Sequence, residues 1–161
     1  MTGSDQGLHD PQLPARIAAL CDGEPDVIAK MATISCEIFQ SDARCDWVGF
    51  YRVTAPEMLK IGPYQGGHGC LTIPFSRGVC GACARTGDVQ IVPDVEAFEG
   101  HIACSATTRS EIVLPVFGPD KALIGVFDID SNLVDAFSER DGEILTEILS
   151  VAFSSAKIAQ A

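Results

Sequence analysis

Three of the seven cysteines lie in segments predicted to be loops or element ends: Cys70, Cys80 and Cys104. Cys80 is near the start of a predicted short helix, where free backbone N–H groups and the helix dipole stabilise a thiolate. Cys104 has His101 three residues before it and Arg109 five residues after it. Positive or hydrogen-bonding neighbours of this kind lower a thiol pKa, so these positions predict reactive thiols.

Cys80 and Cys83 form a C-x-x-C pair. Such a pair occurs in dithiol redox sites and as half of a zinc site. The sequence has neither a second C-x-x-C nor the βαβ pattern that accompanies the thioredoxin-like motif. A zinc site made from Cys80, Cys83, Cys104 and either His68 or His101 stays an alternative, and a buried thiol is the simplest interpretation of Cys83.

Acidic and aromatic side chains are candidates for a small-molecule pocket. Asp128 and Asp130 lie on one face of a predicted strand, with Cα atoms about 6.6 Å apart. Like charges this close need solvent or a cation. Glu111 starts the neighbouring strand and could reach the same end of the sheet. The pattern fits either surface acids or a pocket for an ammonium group or metal ion, and Trp47 and Tyr51 are either core residues or an apolar wall of that pocket.

Composition limits the class of protein. The 161 residues are 47% hydrophobic and 20% charged, which predicts a single globular domain over residues 1–161. A net charge of −11 predicts no nucleic-acid partner. Apolar runs are short and the N-terminus is polar, so we expect neither a membrane span nor a signal peptide, and a cytoplasmic location. An odd cysteine count in that compartment argues against a structural disulfide framework.

Hydrophobic periodicity predicts the elements that position these side chains. Two helices are predicted at the start of the chain. The first lies within residues 1–23 and has an apolar stripe at Leu13, Ile17, Leu20 and Cys21. The second follows it and has an apolar stripe at Val27, Met31, Ile34 and Ile38. A short helix is predicted over 78–86. A last helix starts near Ser138, which has capping-box spacing to Asp141.

Alternating and apolar runs predict strands over 47–53, 58–62, 70–74, 90–92, 111–117 and 123–130. The last two are predicted to form an antiparallel hairpin. A long connection with little periodicity covers 93–109. This order predicts an α+β fold, a central antiparallel sheet covered by helices on one face.

Six segments in order resemble one enzyme family: DWVGFY (46–51), GPYQG (62–66), IP with RGVCG (73–74 and 77–81), GHIAC (100–104), SEIVLP (110–115) and DIDS (128–131). They are similar to the free methionine-(R)-sulfoxide reductases, which are stand-alone GAF-domain proteins, and the match covers roughly residues 24–153. The cysteine spacings of 10 residues (Cys70 to Cys80) and 24 residues (Cys80 to Cys104) also match. The resemblance implies a GAF fold.

The resemblance also implies roles for the cysteines. Cys104 matches the nucleophile, which attacks the sulfoxide sulfur and becomes a sulfenic acid. Cys70 and Cys80 match the positions that form a disulfide with it or pass the disulfide on, with Cys70 the first choice for resolving. Cys83 lies outside the three-cysteine pattern.

The remaining implied roles concern the substrate and its partners. Glu111, Asp128 and Asp130 match acids that hold the substrate's amino group and support the sulfoxide chemistry, while Trp47 and Tyr51 match the wall around its methyl-sulfoxide end. The resemblance implies no bound cofactor, recycling by thioredoxin with NADPH and thioredoxin reductase, and a homodimer formed through terminal helices. The alternatives are a non-catalytic GAF module that senses a small molecule and a hydrolase using Cys104 with His101.

Overall fold

The computed structural model describes residues 6–154, so the ends of the predicted domain, 1–5 and 155–161, lie outside the described residues. The helices are α1 (Leu13–Cys21), α2 (Val27–Ser41), α3 (Gly78–Thr86) and α4 (Glu139–Phe153). The strands are β1 (Trp47–Ala55), β2 (Met58–Gln65), β3 (Thr72–Pro74), β4 (Gln90–Val92), β5 (Ser110–Phe117) and β6 (Leu123–Ser131). Short 3₁₀ turns cover Gly7–His9 and Val95–Ala97.

The strands form one six-stranded sheet in the order β3-β2-β1-β6-β5-β4. The pairings among the described strands are antiparallel, including the predicted β5–β6 hairpin. The central pair, β1 with β6, joins strands that are far apart in sequence, with Gly49 opposite Asp128 and Trp47 opposite Asp130. The central antiparallel sheet of the predicted α+β fold is confirmed.

Local capping signals determine where the helices start and stop. The Asp26 side chain accepts hydrogen bonds from the Ile28 and Ala29 amides at the start of α2. The predicted capping box of Ser138 and Asp141 is present at the start of α4. Five apolar side chains of the predicted α1 and α2 stripes are fully buried: Leu13, Ile17, Met31, Ile34 and Ile38. Leu20, which the periodicity placed in the α1 stripe, is instead 54% exposed.

Helices cover both faces of the sheet, so the prediction of helices on one face was wrong. α2 and α4 pack on the face that carries Phe50, Ile112 and Phe127, and α1 packs against α2 and α4. α3 packs on the opposite face, where its side chains join a second apolar cluster with Val113 and Val126. The physical reason is that β5 and β6 carry buried apolar side chains on both faces, and the second face also needs a cover.

A cluster of charged side chains joins the start of the chain to α4. Arg44 donates hydrogen bonds to both Asp42 (2.7 Å) and Asp141 (3.0 Å). His9 contacts Asp141 at 2.8 Å, and the Leu8 amide donates to Asp42. We call Asp42, Arg44 and Asp141 the paired cluster.

None of the helices within residues 6–154 is both long enough and apolar enough to cross a membrane.

Candidate active site

Two of the predicted cysteines are joined by a disulfide bond. Cys70, in the turn between β2 and β3, is bonded to Cys104, with their Cα atoms 5.3 Å apart. The partners are 34 residues apart in sequence, and both are half-buried. Cys80 and Cys83 are free and buried. The fold therefore brings Cys70 and Cys104 within bonding distance and keeps the C-x-x-C cysteines beneath the surface.

Three acids meet on the same face of the sheet. Glu111 on β5 is directly opposite Asp130 on β6, and Asp128 lies two residues before Asp130 on the same strand. Directly opposed residues of antiparallel strands have Cα atoms only about 4.5–5.5 Å apart. Glu111 and Asp128 are 6% and 5% exposed, and Asp130 is half-buried. We call these three residues the site cluster.

Burial raises the pKa of all three carboxyl groups. The pKa of Asp128 rises to about 6, and those of Glu111 and Asp130 rise well above their usual range because the charge of Asp128 adds to the effect of burial. Within residues 6–154, the ion pairs made by lysine and arginine involve other acids. His101 Nε2 lies 3.8 Å from Glu111 Oε2, but burial lowers the His101 pKa. The site cluster therefore has no permanent cation within the described chain.

Cys80 lies on the floor of the site beside these acids. It is the third residue of α3 and is 4% exposed. Burial, together with the negative charges of Asp128 and Glu111, raises the pKa of the Cys80 thiol well above its usual value. The expectation that the helix start would stabilise a thiolate was therefore wrong, because desolvation and like charge outweigh the helix dipole. Burial also raises the pKa of Cys83, to about 12.

Aromatic rings form the wall of the site. Trp47 and Tyr51, four residues apart on β1, stack with ring centroids 5.9 Å apart. Tyr64 of β2 also stacks with Trp47, with ring centroids 5.2 Å apart. The Trp47 Nε1–H donates to the Gly67 carbonyl at 2.8 Å, which fixes the ring beneath the glycine-rich turn. The sequence identified Trp47 and Tyr51 but missed Tyr64, whose only signal was its place in the GPYQG segment.

A glycine allows this turn to cover the rings. A Cβ atom at Gly69 would lie 2.9 Å from Tyr51 Oη and 3.0 Å from the Trp47 ring. Real Cβ atoms rarely come this close, so a larger residue at position 69 would displace one of the rings. Cys70 follows directly, and the turn thus places the disulfide at the edge of the aromatic wall.

A small pocket collects these side chains and leaves about 40 Å³ for the centres of water molecules, room for a few waters. The predicted site residues that line it are Trp47, Tyr51, Cys80, Cys104, Glu111, Asp128 and Asp130. Cys70 reaches the pocket through its bond to Cys104. Further lining residues that the sequence did not single out include Ile102, Ser105 and Thr108, and His68, named only as a possible zinc ligand, lines it as well. His101 also lines it, and its signal was its position three residues before Cys104.

The zinc ligands suggested by the sequence are not the ones that the fold brings together. Cys104 is bonded to Cys70. Among the described residues, the side chains of metal-ligand type that converge are Cys80, Glu111 and Asp128. Cys80 therefore has carboxylate neighbours, whereas the sequence suggested thiol and imidazole neighbours.

Comparisons with known proteins match most of the chain. Residues 23–152 match the family described as GAF domain. The free methionine-R-sulfoxide reductase of Escherichia coli is 39% identical over 131 residues, covering 81% of this chain and 78% of that protein. The Saccharomyces cerevisiae protein of the same name is 38% identical over 143 residues, covering 85% of this chain and 79% of that protein.

The three-dimensional comparison agrees with the sequence comparison. The solved structure of free methionine-R-sulfoxide reductase from Neisseria meningitidis, in complex with its substrate, superimposes with a TM-score of 0.86. It is 37% identical, and the match covers 92% of this chain and 89% of that one. The GAF fold and the family resemblance found in the sequence are confirmed. The chain therefore belongs to the GAF-domain family of free methionine-R-sulfoxide reductases.

Proposed function

We propose that this protein reduces free L-methionine-(R)-sulfoxide to L-methionine. The observation that carries the proposal is the Cys70–Cys104 pair beside a pocket whose floor holds three acids without a permanent cation. A cysteine pair within bonding distance supports a disulfide step. The unpaired acids support recognition of a positively charged group.

The site cluster binds the substrate's ammonium group. Oδ1 of Asp128 is buried and has no hydrogen-bond partner, which is costly unless a ligand supplies a donor. An ammonium group donates three hydrogen bonds, and its positive charge is the partner that the described ion pairs do not bring to these acids. A methionine sulfoxide inside a peptide chain has no free ammonium group, so the same acids select the free amino acid.

Cys104 acts as the nucleophile, and a protonated acid assists it. The Cys104 thiolate forms a bond to the sulfoxide sulfur, and the sulfoxide oxygen accepts a proton. Glu111 supplies this proton, because burial and the charge of Asp128 raise its pKa. The protonated oxygen leaves the substrate sulfur as hydroxide, with the electron pair of the S–O bond, and attacks the Cys104 sulfur. The bond between the two sulfurs breaks at the same time, so Cys104 becomes a sulfenic acid and methionine leaves with the electron pair of that bond.

The disulfide follows from the sulfenic acid. The Cys70 thiol attacks the Cys104 sulfur and water is expelled, a step supported by the Cα separation of 5.3 Å. Reduced thioredoxin restores both thiols by exchange, and NADPH with thioredoxin reductase supplies the electrons. The reducing cytoplasm is the compartment that fits this cycle. Cys80 stays predicted as a relay thiol, and its high pKa makes it the slower nucleophile.

A homodimer through the terminal helices belongs to the same proposal. Leu20 of α1 and Val151 of α4 are 54% and 62% exposed, although α1 and α4 pack against each other. These side chains are apolar surface that a second copy would cover. Size-exclusion chromatography with light scattering tests the assembly.

The function is tested by NADPH oxidation coupled through thioredoxin. The substrates are free L-methionine-(R)-sulfoxide, its S epimer and the N-acetylated R form, each with the unmodified protein and with Cys104→Ser. We expect turnover of the free R epimer alone and a loss of at least about a thousandfold in Cys104→Ser. Turnover of the N-acetylated form at an equal rate would remove the role of the site cluster. A folded, reduced protein inactive with all three would favour the ligand-sensing GAF module.

A further inference from the structure

The floor of the pocket combines a thiol with two carboxylates. Ligand atoms of Cys80, Glu111 and Asp128 all lie within 4.8 Å of one another. Each of the three residues is at least nine-tenths buried. Binding an ammonium group needs the carboxylates but makes no use of a sulfur ligand. The thiol of Cys80 therefore adds a ligand atom that the proposed substrate does not need.

The unpartnered oxygen shows that the floor is open to a ligand. Oδ1 of Asp128 lacks a hydrogen-bond partner although Asp128 is only 5% exposed. Asp128 lines the pocket together with Cys80 and Glu111. The cluster thus contains a buried acceptor without a partner, on a residue that lines the same pocket as the thiol.

We propose that Cys80, Glu111 and Asp128 form a binding site for Zn²⁺ or a similar divalent transition-metal ion, and that this ion excludes the substrate's ammonium group. The exclusion rests on the proposed function, because both ligands use Glu111 and Asp128. The ion is an inhibitor of the site rather than a cofactor of the reaction.

The spacing of the ligand atoms fits a tetrahedral ion after a small adjustment. Zn–S and Zn–O bonds of about 2.3 and 2.0–2.2 Å place tetrahedral ligands roughly 3.4–3.6 Å apart. The observed separations reach at most 4.8 Å, so movements on the order of 1 Å close the site. Rotation about the side-chain bonds of Glu111 supplies a movement of this size.

The ligand chemistry selects a transition metal over magnesium or calcium. Mg²⁺ and Ca²⁺ take six or more oxygen ligands, whereas a thiolate with two carboxylates suits Zn²⁺ and Co²⁺. Binding displaces the Cys80 proton, and any proton on Glu111, into solvent. One dication then balances two of the three negative charges of its ligands, the Cys80 thiolate and the carboxylates of Glu111 and Asp128.

The test uses Co²⁺, whose bond to a thiolate gives a charge-transfer absorption in the near ultraviolet. The protein is titrated with its Cys70–Cys104 disulfide closed, so that those two sulfurs do not contribute ligands. We expect the band in the unmodified protein and a loss of at least about tenfold in Co²⁺ affinity in Cys80→Ser and in Glu111→Gln. Cys83→Ser, which changes the other C-x-x-C thiol, is the matched control and should keep the affinity within about twofold.

Competition completes the test. Free methionine sulfoxide should weaken the apparent Co²⁺ affinity, and N-acetylmethionine sulfoxide should not. A protein without the absorption band, or a band that survives in Cys80→Ser when its urea unfolding matches that of the unmodified protein, would overturn the site. If the metal binds but free methionine sulfoxide does not displace it, the exclusion is wrong. Turnover by a protein that binds no Co²⁺ would leave the proposed function standing.

Discussion

The protein buries carboxylates in two places and neutralises them in only one. In the paired cluster, Asp42 and Asp141 share the guanidinium group of Arg44. In the site cluster, Glu111 on β5 lies beside Asp128 and Asp130 on β6, and the described ion pairs bring these acids no lysine or arginine. Both clusters are buried, so the difference lies in the partners.

This difference shows in the pKa values. Burial alone would raise the pKa of Asp141, but hydrogen bonds from Arg44 and from the Ser138 amide outweigh it and lower the pKa to about 2. Burial raises the pKa of Asp128 to about 6. A fold that stabilises one set of buried acids and leaves another uncompensated supports the proposal that the second set holds a ligand.

The largest expected effect on stability comes from removing the cation of the paired cluster. Arg44→Met should lower the free energy of unfolding by about 3 kcal/mol at pH 7, because two buried carboxylates lose their partner. The turnover of the folded fraction should not change. Urea unfolding measures the stability, and the coupled assay measures kcat/KM.

Arg140→Met is the matched control for that change. Arg140 pairs with Glu143 at 2.9 Å, but both side chains are about two-thirds exposed. Exposed pairs contribute little, so this substitution should leave the urea midpoint unchanged. An equal loss in both variants would mean that arginine burial and charge pairing do not explain the stability of the paired cluster.

The same substitution placed in each cluster separates their roles. Asp128→Asn should lower kcat/KM for the free sulfoxide by about a hundredfold, because a neutral amide no longer holds the ammonium group. Its urea stability at pH 7 should equal or exceed that of the unmodified protein, since a buried unpaired charge is lost. Asp42→Asn should do the reverse, lowering stability while kcat/KM stays the same. If both variants moved the same quantity, the division into structural and functional acids would fail.

Local signals in the sequence predicted most of the elements. The predicted helix over 78–86 and strand over 90–92 match α3 and β4, because glycine and apolar runs mark their ends. The capping spacing of Ser138 and Asp141 located the start of α4. Two strands were less accurate: β2 continues to Gln65 and β3 begins only at Thr72, since the turn between them carries no periodic pattern.

Long-range features could not be predicted in this way. The position of α3 depends on the strand order, which places β1 beside β6. The raised pKa of Cys80 depends on its burial and on the charges of Asp128 and Glu111, which lie 48 and 31 residues away in the numbering. The position of His101 near Glu111 likewise follows from the path of a connection without periodicity. The contents of the site were predictable from the family's motifs, but its electrostatics required the fold.

The site cluster should lose stability as pH rises and the paired cluster as pH falls, in two different pH ranges. The pKa of Asp128 is raised to about 6 from an unfolded value of about 3.9, so its contribution to stability is present below about pH 4 and lost as pH rises through 6. The pKa of Asp141 is lowered to about 2, so its contribution is present above about pH 4 and lost as pH falls through 2.

Urea unfolding at four pH values between 4.5 and 7.5 measures this. Relative to Asp128→Asn, the unmodified protein should lose on the order of 2 kcal/mol over the range. The difference in the free energy of unfolding between the unmodified protein and Asp42→Asn, a variant of the paired cluster, should not change over this range. Parallel pH profiles for the two variants would contradict the assignment of raised and lowered pKa values.

The smallest expected effect tests whether the cap or the charge stabilises Asp141. Ser138→Ala removes the hydroxyl that accepts from the Asp141 amide and donates to its carboxylate. The Ser138 amide still donates to Asp141 at 2.8 Å, and both bonds from Arg44 remain. Urea unfolding should therefore show a loss of about 1 kcal/mol, well below that of Arg44→Met, with kcat/KM unchanged. Ser150→Ala, on the exposed side of the same helix, controls for helix propensity. If Ser138→Ala lost as much unfolding free energy as Arg44→Met, the cap, and not the guanidinium group, would be the reason that Asp141 tolerates burial.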